Sequence, residues 1–180
     1  LRNRLGESMA DGDDEKGRGY VSTAYFVLGA IFSGVSIVFI AGCFFIPWAD
    51  WLQADPALNN EIMILAILMF AAFAIRFVAS LVFQIFYAMQ RVAVVDVFST
   101  VGKVAFLLII FVLMFYTNES LLLFGAAKTF TFAAVPLIVG AFYFNASLKR
   151  FRPSIKLINM SYFKGLFSLG VQFFIIKSAM

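Results

Sequence analysis

Residues 19–49 read GYVSTAYFVLGAIFSGVSIVFIAGCFFIPWA and contain no Asp, Glu, Lys or Arg. A helix of about 20 apolar residues crosses the roughly 30 Å hydrocarbon core of a bilayer, so this stretch is long enough to span a membrane. Pro47 ends the run, and Trp48 and Trp51 follow at the depth where indole rings favour the headgroup region. We therefore predict a first membrane span over about residues 20–46.

The rest of the 180-residue chain has the composition of a membrane protein. Hydrophobic residues make up 63% of it and charged residues 13%, with a mean hydropathy of +0.95. An ordinary soluble domain has roughly 45–50% hydrophobic and 25% charged residues. Three more apolar runs predict spans over about 62–90, 92–116 and 120–145, and a further run begins near residue 162. The predicted fold is an all-α polytopic membrane protein: a helical bundle of four complete transmembrane helices plus the start of a fifth.

The composition also excludes several kinds of chemistry. The chain has no His, which excludes His-based acid–base catalysis and His metal sites, and its one cysteine, Cys43, allows neither an internal disulfide nor a Cys-based zinc site. We predict no catalytic residue, no metal and no cofactor, and we do not expect an enzyme. The net charge of +4 is spread between apolar runs, which indicates membrane orientation rather than nucleic-acid binding.

The loops between the spans alternate in their content of Lys and Arg. Residues 1–19 hold four, residues 47–61 none, the turn at Arg91 one, residues 117–119 none and residues 146–164 five. Because cytoplasmic loops carry the excess of basic residues, the first, third and fifth of these loops are predicted to be cytoplasmic. The first is expected to be a solvated loop, with at most a short helix before a turn at 11–13.

Four cations lie inside predicted spans, each roughly 13–21 Å from the nearest loop at a rise of about 1.5 Å per residue. Facing lipid would cost each about 2.5–3.5 kcal/mol, so they should face a polar interior. Helical spacing places Gln84 on the face of Arg76. The candidate cavity residues are Arg76, Gln84, Lys103, Lys128 and Lys177.

Two interpretations of these cations remain open. Asp96, the one acid within a span, could pair with Arg76 or Lys103 in a purely structural role. One acid against four cations leaves an excess of three, which indicates a cationic cavity for an anionic ligand. Arg and Lys suit phosphate in particular, Arg as a planar fork and Lys as a point charge.

The ends of the chain resemble a known family of transporters. The segments LRNRLGE at 1–7, ADGD at 10–13 and YVSTAY at 20–25 resemble the cytoplasmic loop after the second helix of bacterial polysaccharide flippases. These are the Wzx-type members of the multidrug/oligosaccharidyl-lipid/polysaccharide exporter superfamily. FKGLFSLGVQFF at 163–174 resembles the start of that family's seventh helix. The resemblance covers the whole chain as an internal fragment, from about helix 3 to helix 7.

The resemblance implies a domain arrangement and a function. The four spans would complete an amino-terminal lobe, residues 147–161 would be the cytoplasmic linker between lobes, and residues 162–180 would begin the second lobe. The family carries an undecaprenyl-diphosphate-linked oligosaccharide from the inner to the outer leaflet of the bacterial inner membrane by alternating access. The implied partners are this anionic lipid-linked sugar, the bilayer, and polysaccharide polymerase or assembly proteins, with no nucleic acid.

Other functional classes stay open at this point. A drug or small-solute exporter of the same superfamily would need cavity carboxylates to attract cations, whereas the excess charge here is positive. A membrane enzyme acting on lipid-linked sugars would need an acid cluster, a catalytic base or a large outer loop, and the longest outer link is residues 47–61. A structural or assembly subunit without transport is the third alternative.

Overall fold

The computed structural model describes residues 1–116 and 121–163, and its regular secondary structure is helical, with no strand in these two ranges. Four helical stretches are long and apolar enough to cross a membrane. Large apolar side chains cover their outer faces; Val38, Leu107 and Phe142 are 72%, 66% and 66% exposed, as expected for lipid-facing residues. The chain is therefore an all-α, multi-pass membrane protein. Its α-helices are α1 (Arg2–Ala10), α2 (Asp14–Cys43), α3 (Trp48–Trp51), α4 (Asn59–Ala79), α5 (Leu81–Ala88), α6 (Val92–Tyr116) and α7 (Leu121–Asn145).

The first span begins earlier than predicted and is preceded by a packed helix. Gly12, with φ of +72°, allows the predicted turn between α1 and α2. Asp13 then caps α2, because its carboxylate accepts a 2.9 Å hydrogen bond from the backbone N–H of Lys16. α1 is also more than a solvated loop, since Leu5 and Ser8 are buried against the bundle. α2 ends at Cys43, shortly before Pro47.

The second span is one predicted helix that the structure divides at Ser80 into α4 and α5. The backbone N–H of Phe83 bonds the Ser80 carbonyl at 2.9 Å, in place of the carbonyl four residues before it. The Tyr25 hydroxyl, from α2, donates to the freed Ala79 carbonyl at 3.4 Å. A side chain that inserts into the helical hydrogen-bond ladder is a known cause of a helix bend.

The turn between α5 and α6 is tight, as predicted around Arg91. Gln90 adopts φ of +59°, the left-handed conformation that ends many helices. The N–H of Arg91 bonds the Phe86 carbonyl at 2.9 Å and the N–H of Gln90 bonds the Tyr87 carbonyl at 3.1 Å. This pair of bonds is a Schellman motif, which satisfies carbonyls that the helix end leaves free.

The buried core lies at one end of the bundle. We call this the linker end, because it carries α1, the α5–α6 turn and the linker segment (residues 147–161). The linker segment contains two short 3₁₀ turns, Lys149–Phe151 and Ile155–Leu157. One cluster joins α1, α2, α5, α6, α7 and the linker segment through Leu5, Val21, Val82, Ile85, Phe86, Val95, Val139, Leu148 and Phe151.

Candidate functional site

Two of the predicted cavity cations lie between α4 and α7. Arg76 and Lys128 line the same small cavity of about 160 Å³. The other side chains around it are apolar or neutral, and no Asp or Glu contributes to this lining. They are Met69, Ala72, Phe73, Thr129 and Phe132. We call this the cation cavity.

Close helix packing forms the seam along which the two cations lie. α4 packs more extensively on α7 than on any other helix in the described part of the chain. Gly125 makes this approach possible, because a Cβ atom there would lie 2.5 Å from Cδ1 of Leu65. Lys128 follows Gly125 by one turn and Arg76 follows Leu65 by three, so all four lie along the same helix–helix seam.

An aromatic ring holds the arginine in the cavity. The guanidinium carbon of Arg76 lies 5.1 Å from the centroid of the Phe132 ring, within the range of a cation–π interaction. The Arg76 side chain is otherwise exposed. The ion pairs within residues 1–116 and 121–163 are Arg4–Glu7 and Arg150–Asp14, so no carboxylate there neutralises Arg76 or Lys128. Their hydrogen-bond donors remain available to an anion.

Lys103 does not line the cation cavity but lies one helical turn from a residue that contacts its lining. α6 approaches α7 at Gly102, where a Cβ atom would lie 2.8 Å from Cγ2 of Val135. Phe106, one turn after Lys103, contacts Phe132 with ring centroids 5.6 Å apart. Lys103 is exposed and shares the helix face of Phe106, so it lies on the same side of the bundle as the cation cavity.

Of the other two cavity candidates, Gln84 alone is among the described residues. Gln84 is half-buried on α5, beyond the break at Ser80, and contributes nothing to the cation cavity. The break interrupts the regular spacing from which its position beside Arg76 was predicted. Lys177 lies outside the described residues, as does the predicted link at 117–119.

The structural pairing of Asp96 is not formed. Asp96 is exposed on α6, and neither ion pair of the described residues includes it. The positions of these residues along the helices explain why. Measured from the turn that joins α5 to α6, Asp96 is about 6 Å along α6, whereas Arg76 is about 18 Å back along α5 and α4. Lys103 is on the same helix as Asp96, about 10.5 Å further along its axis. Asp96 and Arg76 therefore lie at different depths, and Asp96 and Lys103 are about two turns apart, so neither pair is within the length of an ion pair.

A contact between α2 and the linker segment was not predicted from the sequence. The N–H of Ser154 donates to Ser22 Oγ at 2.9 Å, and the N–H of Asn159 donates to Thr23 Oγ1 at 3.0 Å. Arg18 Nε donates to the Arg152 carbonyl at 2.8 Å. Both hydroxyl side chains are buried. The signal in the sequence was a pair of hydroxyl residues at the start of an apolar run, which indicates no partner by itself.

Two glycines allow this contact to be close. A Cβ atom at Gly17 would lie 3.0 Å from the Phe151 ring, and one at Gly19 would lie 2.9 Å from the Tyr162 ring. Tyr20 also packs on Tyr162, with ring centroids 4.6 Å apart. The linker segment is therefore held against the first turns of α2 along its length.

Comparison with protein-family models, curated proteins and solved structures finds no match for this chain. Fold and site define its class directly. It is a multi-pass, all-α membrane protein in which two cations from different spans face one acid-free cavity.

Proposed function

We propose that this chain is the first-lobe portion of a Wzx-type flippase, which moves an undecaprenyl-diphosphate-linked oligosaccharide across the bacterial inner membrane by alternating access. The observation that carries the proposal is the convergence of Arg76 and Lys128 on an acid-free cavity between two membrane spans. The resemblance of residues 1–7 and 20–25 to that family supports it.

The chemistry of the cation cavity suits a diphosphate. A cation placed in a span is costly unless a counter-charge or water solvates it, and an anionic ligand would supply that charge. The guanidinium can bind two phosphate oxygens side by side, and the ammonium adds a point charge from the facing helix. Phe132 orients the guanidinium through its 5.1 Å contact, so the arginine needs little rearrangement to bind.

The size of the cavity indicates which part of the ligand it would hold. Sites for whole small molecules have volumes of about 300–1,000 Å³. The cation cavity, of about 160 Å³, is smaller and fits a phosphate-sized group. We propose that it binds the diphosphate, with Lys103 on the neighbouring helix adding positive potential, while the sugar extends along the same face.

The orientation of the chain is part of the proposal. We assign the linker end to the cytoplasm, because within residues 1–116 and 121–163 every Lys and Arg outside the predicted spans lies in the loops there. Asn3→Cys would then react with an impermeant maleimide only from inside the cell, and Ala57→Cys from outside. The reverse labelling pattern would contradict the assignment.

Export complementation tests the function. The full-length gene, or its variants, is expressed in a flippase-deficient strain with the matching polysaccharide genes. Surface polymer, cytoplasmic lipid-linked intermediate and protein abundance are then measured. Arg76→Gln and Lys128→Gln should each reduce export about tenfold or more, since a hydrogen bond to a charged group contributes about 1.5–3 kcal/mol. Lipid-linked intermediate should accumulate.

Matched controls separate ligand binding from folding. Arg91→Gln and Lys149→Gln remove the same charges outside the cation cavity and should leave export unchanged. Arg76→Lys and Lys128→Arg keep the charge and should retain part of the export. Normal export by both Gln variants at normal abundance would refute the role of the cavity. Failure of the unaltered gene to restore polymer, despite membrane insertion and a confirmed cognate sugar, would favour the exporter or enzyme alternatives.

A further inference from the structure

The linker segment lies at the boundary of the membrane. α2 contains 30 residues and is therefore about 45 Å long, which exceeds the roughly 30 Å hydrocarbon core. Counting about 20 residues back from its end at Cys43 reaches Ala24. Ser22 and Thr23 therefore lie at the edge of the hydrocarbon, and their hydrogen bonds fix Ser154 and Asn159 at the same depth.

Apolar side chains project from this part of the linker segment. Ile155 is 86% exposed and Met160 is 59% exposed, although Phe151 and Leu148 nearby are fully buried. Ile155 lines a shallow cavity of about 240 Å³ together with Phe26 of α2. Phe26 is itself 51% exposed on the outer surface of the span. The exposed surface at Ile155 is therefore continuous with the lipid-facing surface of α2.

Two cations flank the exposed isoleucine. Arg152 and Lys156 are both exposed, and no carboxylate of the described residues lies within 4.0 Å of either, whereas Arg150 pairs with Asp14 at 3.5 Å. Asp13 and Glu15 share a polar cavity of about 490 Å³ with Lys156 but do not form an ion pair with it. Cations beside an inserted apolar residue are typical of surfaces that bind anionic lipid.

We propose that residues 152–160 form a docking surface for the anionic phospholipids of the adjacent leaflet. Ile155 inserts at the level of the acyl chains, and Arg152 and Lys156 bind the lipid phosphates. The hydrogen bonds to Ser22 and Thr23 hold the segment at this depth. The proposal does not depend on what the protein transports.

The depth of Ile155 gives the first test. The full-length protein, with its other reactive cysteines replaced, carries a nitroxide label at Ile155→Cys or, as a water-exposed control, at Asp11→Cys. It is reconstituted in bilayers containing phosphatidylglycerol. Oxygen concentrates in the acyl chains, so it should relax the label at position 155 more than a water-soluble nickel chelate does. At position 11 the nickel chelate should relax the label more than oxygen does. Equal behaviour at both positions would overturn the proposal, and so would shielding of position 155 from both reagents, because protein would then cover it.

Retention of phosphatidylglycerol gives the second test. Arg152→Gln combined with Lys156→Gln should lower the affinity for this lipid about tenfold or more, since each cation near the surface contributes about fivefold. Arg91→Gln combined with Lys149→Gln removes the same net charge elsewhere at the linker end. An equal loss in this control would show a general attraction of charge and overturn the docking surface. Failure of export would leave both measurements unaffected, so the two proposals fail separately.

Discussion

Replacement of Thr23 by Val should release one attachment of the linker segment without changing the packing of α2. Thr23 is fully buried, and its hydroxyl accepts the N–H of Asn159 at 3.0 Å. Val has the same branched shape at Cβ, so the substitution removes the acceptor and leaves the volume nearly unchanged. The Asn159 N–H is then left without its partner.

The size of the effect follows from that lost acceptor. Asn159 is itself exposed, so water can solvate its N–H after the substitution, and the loss is that of one net hydrogen bond, about 0.5–1.5 kcal/mol. Since 1.4 kcal/mol corresponds to a factor of ten, local opening at Asn159 should become about 2–12 times more frequent. Ser154 should be affected less, because it remains bonded to Ser22 Oγ at 2.9 Å.

Hydrogen–deuterium exchange of the full-length protein in lipid nanodiscs measures this opening. Peptides that cover residues 152–161 should exchange faster in Thr23→Val than in the unaltered protein. Thr131→Val is the matched control, because the Thr131 hydroxyl bonds the Ala127 carbonyl of its own helix at 2.6 Å. Unchanged exchange in Thr23→Val, or an equal increase in Thr131→Val, would refute the inference that Thr23 holds the linker segment.

Three further substitutions test the packing of the bundle. Gly125→Val adds side-chain atoms where a Cβ alone would lie 2.5 Å from Leu65, so it should lower the free energy of unfolding by about 1–3 kcal/mol and lower the thermal unfolding midpoint. An unchanged midpoint would contradict the close α4–α7 seam. Tyr25→Phe removes the hydrogen bond to the Ala79 carbonyl and should lower local stability by about 0.5–1.5 kcal/mol, measured as faster amide exchange around residues 79–83. Unaltered exchange would argue against Tyr25 as the support of the helix break. The added Cβ of Gly12→Ala would meet no atom within 4 Å, but the residue must adopt φ of +72°, which costs about 1–2 kcal/mol and should make the amides of α1 exchange faster. Unchanged exchange in α1 would refute the claim that this φ is strained for alanine.

Hydropathy alone predicted the number of spans and most of their ends. The third span, predicted at about 92–116, is Val92–Tyr116, and the fourth, predicted from about 120, begins at Leu121. The first span begins at Asp14 instead of residue 20, because its first turn is polar and lies outside the apolar run that defined the prediction. Apolar length indicates how much of a helix lies in lipid, whereas capping by Asp13 decides where the helix starts.

The features that were not predicted depend on contacts between distant parts of the chain. The break at Ser80 involves Tyr25 from another helix, and no local pattern around Ser80 indicates it. Depth and charge identified Arg76 and Lys128 as candidates, but their convergence depends on how closely α4 and α7 approach at Gly125. Asp96 is different, because its separation from Arg76 and Lys103 along the helices follows from the residue positions and the helical rise alone.

The location of the buried cluster at the linker end has a mechanical consequence. Five helices and the linker segment are fixed to one another there by Leu5, Val82, Phe86 and Phe151, among others. A relative movement of the spans that keeps this cluster intact pivots about that end, and its amplitude grows with distance along each helix. A tilt of about 10° in a helix of 25 residues, about 37 Å long, displaces its far end by about 6.5 Å while the fixed end hardly moves.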